Sequence, residues 1–453
     1  MSSLRQLSLL VGGVLSLGSL TAAFPVYNRT ASTAPSTNAP SKYIITLKHG
    51  LTARDLESHV SWVNQVHKRS LDASNNSMST GAGVHKTFGN LHVYVGEFDD
   101  DTLEQIKSRP DVEAVEEDQM WHPFDEAPSG PLHEISNPIY DAFFSSDKPN
   151  NQQPRDISQA EKSTTGNPQA IASQPSAPWG LARISHRSRG QSDYLYNPPA
   201  GSGTYAYVID TGLNTAHADF GGRATFGYNA VSGSGSESDV QGHGTHTAGI
   251  IAAGTYGVAK SAELVAVKVF DQGGSLTSVI LDGYNWAVAD IKAKGRVGAA
   301  VINMSLGGGT SKAFNNAVEA AYQAGIVTVV AAGNEGRDVG SDSPASAGSA
   351  LTVGAVDNGD RQASYSNYGR AVDIYAPGTG ILSTWIGGPT ATNTMSGTSM
   401  ACPHVSGLVL YLMAKEGLRD PGAIVARVKG LGSEGVISGL GADSPNLLAY
   451  NGC

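Results

Sequence analysis

The chain has 453 residues and a formal net charge of −10, with only 15% charged residues and 55 glycines. The length corresponds to roughly three domains at ~150 residues each, or fewer if one is a large α/β body, and the composition excludes a disordered chain. No basic block occurs, which argues against a nucleic-acid partner, and two cysteines, Cys402 and Cys453, exclude a disulfide framework.

Residues 1–23 read as a signal peptide. Arg5 supplies the positive charge, Leu7 to Leu20 is an apolar core broken by Gly and Ser, and Thr21-Ala22-Ala23 offers small residues for cleavage. A membrane anchor is the weaker reading, because the run is short and lacks a basic stop-transfer flank. No other stretch is long and apolar enough to cross a bilayer, so a secreted, extracellular protein is expected. Residues 24–40, rich in Ser, Thr, Pro and Asn, predict a disordered lead-in. Asn28-Arg29-Thr30 and Asn75-Asn76-Ser77 are glycosylation sequons.

Residues 41–121 predict a small α+β domain. Strands are expected at Tyr43 to Leu47, Val84 to Phe88, Leu91 to Val95 with Phe98, and Val112 to Glu117. Helices are expected at Leu56 to Lys68 and Asp101 to Ser108, the second capped by Asp100 or Asp101 and stopped by Pro110. The order β-α-β-β-α-β is that of a ferredoxin-like sandwich. No catalytic residue types cluster in it, so its expected role is structural or inhibitory. Residues 122–169 are dominated by Pro, Ser, Asn, Gln and Asp and predict a linker or extended tail, long enough to mark a domain boundary.

From about Ala177 the pattern becomes α/β: a parallel sheet covered by helices on both faces. Strands are expected at Tyr205 to Ile209, Leu264 to Val269, Ala299 to Asn303, Ile326 to Ala331 and Leu351 to Val356. Helices are expected at Gly244 to Ala253, Leu276 to Lys294 and Lys312 to Ala324. A site in such a sheet lies beyond the carboxyl ends of its strands.

Four positions fall there. Asp210 follows the Tyr205 to Ile209 strand. His243 sits between glycines before a small-residue helix, with His246 nearby as a structural histidine. Asn334 ends the Val329 to Gly333 run as a turn residue tolerant of positive φ. Ser399 stands where Ser396-Gly397-Thr398-Ser399 meets the apolar run Val405 to Met413, as the expected N-cap, beside unpaired backbone N–H groups. Each has a bland reading alone. Together they supply a nucleophile, a base, an orienting carboxylate and an amide donor.

Asp210-Thr211-Gly212, His243-Gly244-Thr245-His246 and Gly397-Thr398-Ser399-Met400-Ala401, in this order, resemble the signature blocks of subtilisin-like serine proteases over about residues 177–450. The chain is most similar to secreted fungal enzymes of the proteinase K and oryzin type. The domain at 41–121 likewise resembles their inhibitory propeptide. The resemblance implies a monomeric peptidase domain at 170–453, preceded by the propeptide as its intramolecular inhibitor. It implies Ser399 as nucleophile, His243 as general base and acid, Asp210 as its orienting carboxylate, and an oxyanion hole from the Asn334 side chain and the Ser399 N–H. It assigns Ser305-Leu306-Gly307 and Ala331-Ala332-Gly333 to the primary specificity pocket, and Gly274-Ser275-Leu276 to strand pairing with a protein or peptide substrate. These segments are uncharged, which implies broad specificity favouring an apolar or aromatic residue before the cut. It also implies a structural Ca²⁺ held by Asp373 and the carbonyls of Gly348 and Ala350.

The chain departs from the pattern in two places. Thr247 stands where close members carry cysteine, and residues 121–167 intervene before a mature start expected near Ala170. The sequon at Asn303-Met304-Ser305 lies in an expected buried strand and should be unmodified. A bridge between Cys402 and Cys453 stays open, although Cys402 should point into a packed helix face.

Four rival readings lack their residues. An aspartic protease needs a second Asp-Thr-Gly loop, and Asp342-Ser343-Pro344 lacks the glycine. An esterase of the α/β-hydrolase type needs acid and histidine after the serine, and only His404 follows. A zinc site at His243 and His246 lacks the glutamate and spacing. A binding protein with a decayed protease fold should have lost one of the four positions, and all are present.

Overall fold

The computed structural model describes residues 42–48, 50–74, 83–124, 171–231, 233 and 235–453. The signal peptide, the lead-in, the sequons at Asn28 and Asn75, and residues 125–170 lie outside the described residues.

In the N-terminal domain the antiparallel strands run, edge to edge, Gly83–Phe88, Val93–Glu97, Lys42–Leu47 and Val112–Glu117. This is the expected sandwich order. The helix Ala53–Ser74 begins earlier than apolar spacing suggests. Thr52 and Asp55 form a reciprocal cap, with Thr52 N–H donating to the Asp55 carboxylate (2.7 Å) and Asp55 N–H to the Thr52 hydroxyl (3.3 Å). The helix Asp100–Lys107 is capped by Asp99, which accepts from Thr102 N–H at 2.9 Å, and not by Asp100 or Asp101. Asp99 keeps extended backbone and can turn its carboxylate back, while the other two face the helix's positive end from within its first turn.

The domain does not stop at residue 121. A further strand, Met120–Pro123, is inserted between two short strands of the C-terminal domain, Ser275–Leu276 and Leu306–Gly307, antiparallel to both. Residues 122–124 therefore belong to this tail and not to the expected linker. Two carboxylates just before it cap helices of the other domain. Asp118 accepts from Ser278 N–H (2.8 Å) and hydroxyl (2.6 Å) at the start of Thr277–Ala293. Glu116 accepts from the Ser311 hydroxyl and the N–H groups of Lys312 (2.9 Å) and Ala313 (3.2 Å) at the start of Lys312–Gln323. Trp121 is fully buried against Phe314, ring centroids 5.0 Å apart, in a cluster with Leu281 and Tyr284. A cap contributes about 1 kcal/mol, whereas a buried aromatic covers about 150–250 Å², or roughly 4–6 kcal/mol at 25 cal/mol/Å². Trp121 is thus the main anchor and the carboxylates set its register.

Among the described residues the C-terminal domain holds a nine-stranded sheet. Its order is Ser433–Glu434, Leu447–Leu448, Ile374–Pro377, Leu351–Val356, Val327–Ala331, Ala300–Met304, Tyr205–Asp210, Glu263–Lys268, Ala224–Asn229. All pairings are parallel except that of Ser433–Glu434. Along Tyr205–Asp210 the side chains alternate. Ala206 and Val208 enter one apolar cluster with Val405 and Leu408, and Tyr207 and Ile209 enter another with Tyr284 and Phe314. Both faces are covered, as the apolar strand composition demands. From Glu263–Lys268 the chain crosses over Tyr205–Asp210 to Ala300–Met304, so the strand order reverses at Tyr205–Asp210 and Asp210 stands at its carboxyl end.

Candidate active site

Asp210 and His243 meet. Imidazole Nδ1 lies 2.7 Å from Asp210 Oδ1, and both side chains are fully buried. Since a carboxylate oxygen only accepts, Nδ1 carries the proton and Nε2 is left as the basic nitrogen of the neutral ring. His243 opens the helix His243–Ala252, whose N-cap is Gly242 at φ 106°. A side chain there would be strained and would also meet the Trp385 ring at 2.5 Å.

His246 plays the structural part expected of it. Its Nε2–H is shared between the carbonyls of Ile381 (3.1 Å) and Asn393 (3.0 Å). Burial holds it near pH 3, and it holds His404, bonded to the Met400 carbonyl at 2.8 Å, near pH 4. Both rings stay neutral in the folded protein, while in the unfolded chain they take protons below about 6.5. The unfolded state then binds more protons, so stability is full above about 6.5 and falls as pH drops toward 4 and 3. The thermal midpoint of the C-terminal domain should decline across that window, and His404→Gln should flatten part of the decline. A midpoint constant from pH 7 to 4 would contradict this.

Ser399 is the second residue of the helix Thr398–Glu416, and Gly397, not Ser399, is its N-cap. Every residue from Thr398 to Met413 is buried, so the helix runs through the core. Pro403 has no N–H to give the Ser399 carbonyl, and the Ser305 hydroxyl donates to that carbonyl instead at 2.9 Å. The Ser399 hydroxyl donates to the carbonyl oxygens of Phe124 (3.0 Å) and Ser305 (3.1 Å). The helix packs against His243–Ala252. Burial pushes its Cys402 thiol up to about 12.

Asn334 follows Gly333, whose φ is positive at 104°. The Asn334 side-chain oxygen Oδ1 accepts from Thr398 N–H (2.9 Å) and hydroxyl (2.8 Å), which fixes the amide's orientation. Asn367 grips the same loop, donating to the carbonyls of Gly333 (2.9 Å) and Ala332 (3.1 Å) and accepting from Glu335 and Arg337 N–H. A Cβ at Gly397 would lie 3.0 Å from Asn334 Nδ2, 3.6 Å from Ser399 N and 3.7 Å from the Phe124 carbonyl oxygen. Two donors and one carbonyl oxygen thus converge on one point.

The tail brings the expected substrate segments together. Ser275 and Leu276 pair with Trp121 and Met120, and Leu306 and Gly307 with Pro123 and His122. Phe124 N–H donates to the Ser305 carbonyl at 3.3 Å. A Cβ at Gly274 would lie 2.6 Å from the His122 ring and one at Gly307 2.6 Å from the Phe124 ring, so both glycines make room for the tail. The Phe124 ring packs against the cluster that holds Ala331, while Ala332 belongs to the cluster on the other sheet face. Phe124 was absent from the expected residues. Its signal, Trp121-His122-Pro123-Phe124 after an acidic strand, lay at the assumed domain edge.

Asp373 is where the calcium expectation meets a competing charge. Oδ1 accepts from Lys429 Nζ at 2.8 Å and Oδ2 from Thr352 N–H at 3.0 Å. Gly348 and Ala350, whose carbonyls are the other expected donors, stand just ahead of Leu351–Val356, and the carboxylate already carries an ammonium. The Lys429 ammonium would compete with a calcium ion for the Asp373 carboxylate. Asn303, of the third sequon, is fully buried and accepts from the Cys402 thiol (3.3 Å) and Ser406 hydroxyl (2.8 Å). Cys402 and Cys453 are both free.

Comparison with known proteins matches residues 201–423 to the subtilase family and residues 42–123 to the peptidase inhibitor I9 family. The chain is 48% identical to an alkaline proteinase of Hapsidospora chrysogena, over 100% of this chain and 99% of that one. It is 46% identical to alkaline protease 1 of Emericella nidulans, over the same shares. A crystal structure of a cold adapted subtilisin-like serine proteinase matches 61% of this chain and 98% of its own, with TM-score 0.57 and 39% identity. A buried Asp–His pair, a serine on a helix start, an amide donor and an inhibitor domain whose tail fills the cleft agree with these matches: the chain belongs to the subtilase family of serine proteases and carries its own I9 inhibitor domain.

Proposed function

We propose that this protein is a secreted, monomeric serine endopeptidase that is made as an inactive precursor and first cuts its own chain between Phe124 and Asp125. The reading rests on one observation: the Ser399 hydroxyl lies 3.0 Å from the carbonyl oxygen of Phe124, in a tail strand-paired on both sides. Ser399 Oγ attacks the Phe124 carbonyl carbon as His243 Nε2 takes its proton, and Asp210 holds the ring and stabilises its charged form. Negative charge on the carbonyl oxygen is met by Asn334 Nδ2 and Ser399 N–H. The C–N bond breaks, His243 protonates the departing amine of Asp125, and water then releases the acyl group from Ser399.

The same cleft takes protein substrates after the tail leaves. Ser275, Leu276, Leu306 and Gly307 pair with the substrate backbone, and the space made at Gly307 suits an aromatic or large apolar residue before the cut, as Phe124 suits it here. A general base must be unprotonated at Nε2, so activity is expected to rise from acid to neutral pH if His243 plays that part. That direction agrees with the names of the alkaline relatives. A peptidase domain beginning at Ala170 requires a second cut, which removes residues 125–169. N-terminal sequencing of the maturing protein should find Asp125 first.

Any calcium at Asp373 must displace Lys429. Lys429→Met is therefore expected to add a calcium-dependent rise in thermal midpoint that the parent lacks at this site. Equal responses of the two proteins to a chelator would count against the exchange.

A further inference from the structure

We infer that Asp239 is a positioning residue for the Asp210–His243 pair, which rests on the triad reading above. The two members of the pair sit on separate segments, the end of Tyr205–Asp210 and the start of His243–Ala252. Their 2.7 Å contact needs those segments held in fixed register. Asp239, only 6% exposed, bonds to both. Its Oδ1 accepts from the Thr211 hydroxyl (2.9 Å), Gly242 N–H (2.7 Å) and Gln241 N–H (3.0 Å). Its Oδ2 accepts from Thr245 N–H (2.9 Å) and hydroxyl (2.7 Å). The N-cap Gly242 has no side chain with which to cap the His243 helix, and Asp239 does it from three residues upstream.

Thr211 completes the brace. Its hydroxyl, donating to Asp239, accepts from Gly244 N–H at 2.9 Å, and its own N–H donates to Asp210 Oδ1 at 2.8 Å. From the other side the buried Lys268 ammonium donates to the Thr211 carbonyl at 2.8 Å. Residues on either side of His243 are thus tied through one carboxylate to the residue after Asp210. All five groups on Asp239 are donors, so the oxygens must both be acceptors. An asparagine keeps the shape but turns an NH₂ toward either the Oδ1 or the Oδ2 set. The substrate-pairing strands lie elsewhere, so the loss should fall on turnover rather than on binding.

The test uses the full chain, expressed and matured, with a peptide substrate. Asp239→Asn is expected to lower kcat by about 10²-fold, the effect of misplacing a catalytic group by about an ångström, with KM within about two-fold. Circular dichroism should report a folded protein. If Asp239→Asn does not fold or mature, Thr211→Val decides. It removes one strut and should lower kcat by about tenfold, and Thr211→Ser, which keeps the hydroxyl, should restore it. A purely structural residue would change the folded fraction and leave kcat per folded molecule untouched. That result, or a rise in KM with kcat held, overturns the proposal. If Ser399→Ala were still active, the triad reading itself would fail, whatever Asp239 does.

Discussion

Ser399→Ala should lower kcat by about 10⁶-fold and leave the precursor uncut between Phe124 and Asp125. The magnitude is that of the equivalent serine in subtilisin, a member of the same family, and is carried over rather than obtained from this geometry. It corresponds to roughly 8 kcal/mol of barrier. The loss is that large because the serine oxygen forms the new bond. With a methyl group in its place, the His243–Asp210 pair has no proton to move and the two donors near Gly397 have no oxyanion to receive. The tail should stay seated, since Trp121, Asp118 and Glu116 hold it without help from the hydroxyl. Intact mass and N-terminal sequencing of the variant, made in a protease-free host, check this. A new terminus at Asp125 would show that another enzyme makes the first cut.

Asn334→Ala should lower kcat by about 10²–10³-fold with a small change in KM, a range likewise carried over from subtilisin's own amide, or roughly 2.7–4 kcal/mol. The Asn334 amide is held by Thr398 through its oxygen, so its NH₂ is committed to the cleft before any substrate arrives. Such a donor costs no reorganisation when charge develops. The substitution also frees Thr398 N–H and hydroxyl, so part of any loss could come from a loosened helix start. Thr398→Val, which keeps the helix but removes the hydroxyl contact, separates the two contributions. An unchanged kcat in Asn334→Ala would rule out its part in the oxyanion hole.

Most of the architecture was legible because its signals are local. The strands at Tyr205, Leu264, Val327 and Leu351 and the helix at Lys312 fall within a residue or two of their expected limits, since an apolar run between turn residues has one stable arrangement in a covered parallel sheet. Caps were less legible. Ser399 and Asp100 each had a plausible capping residue type, but the cap fell to Gly397 and Asp99, because capping depends on which residue keeps extended backbone.

The sequence by itself determined the chemistry available: which side chains could act, that they stand where strands end and helices begin, and that the first domain is a separate sandwich. Only the tertiary structure decided that Phe124 reaches Ser399, that Asp239 bonds to both Thr211 and Thr245 and that Lys429 lies on Asp373. The reason is separation along the chain. Phe124 and Ser399 are 275 positions apart and Lys429 and Asp373 are 56, and no periodicity or turn signal encodes which distant groups the folded chain will bring within hydrogen-bonding reach.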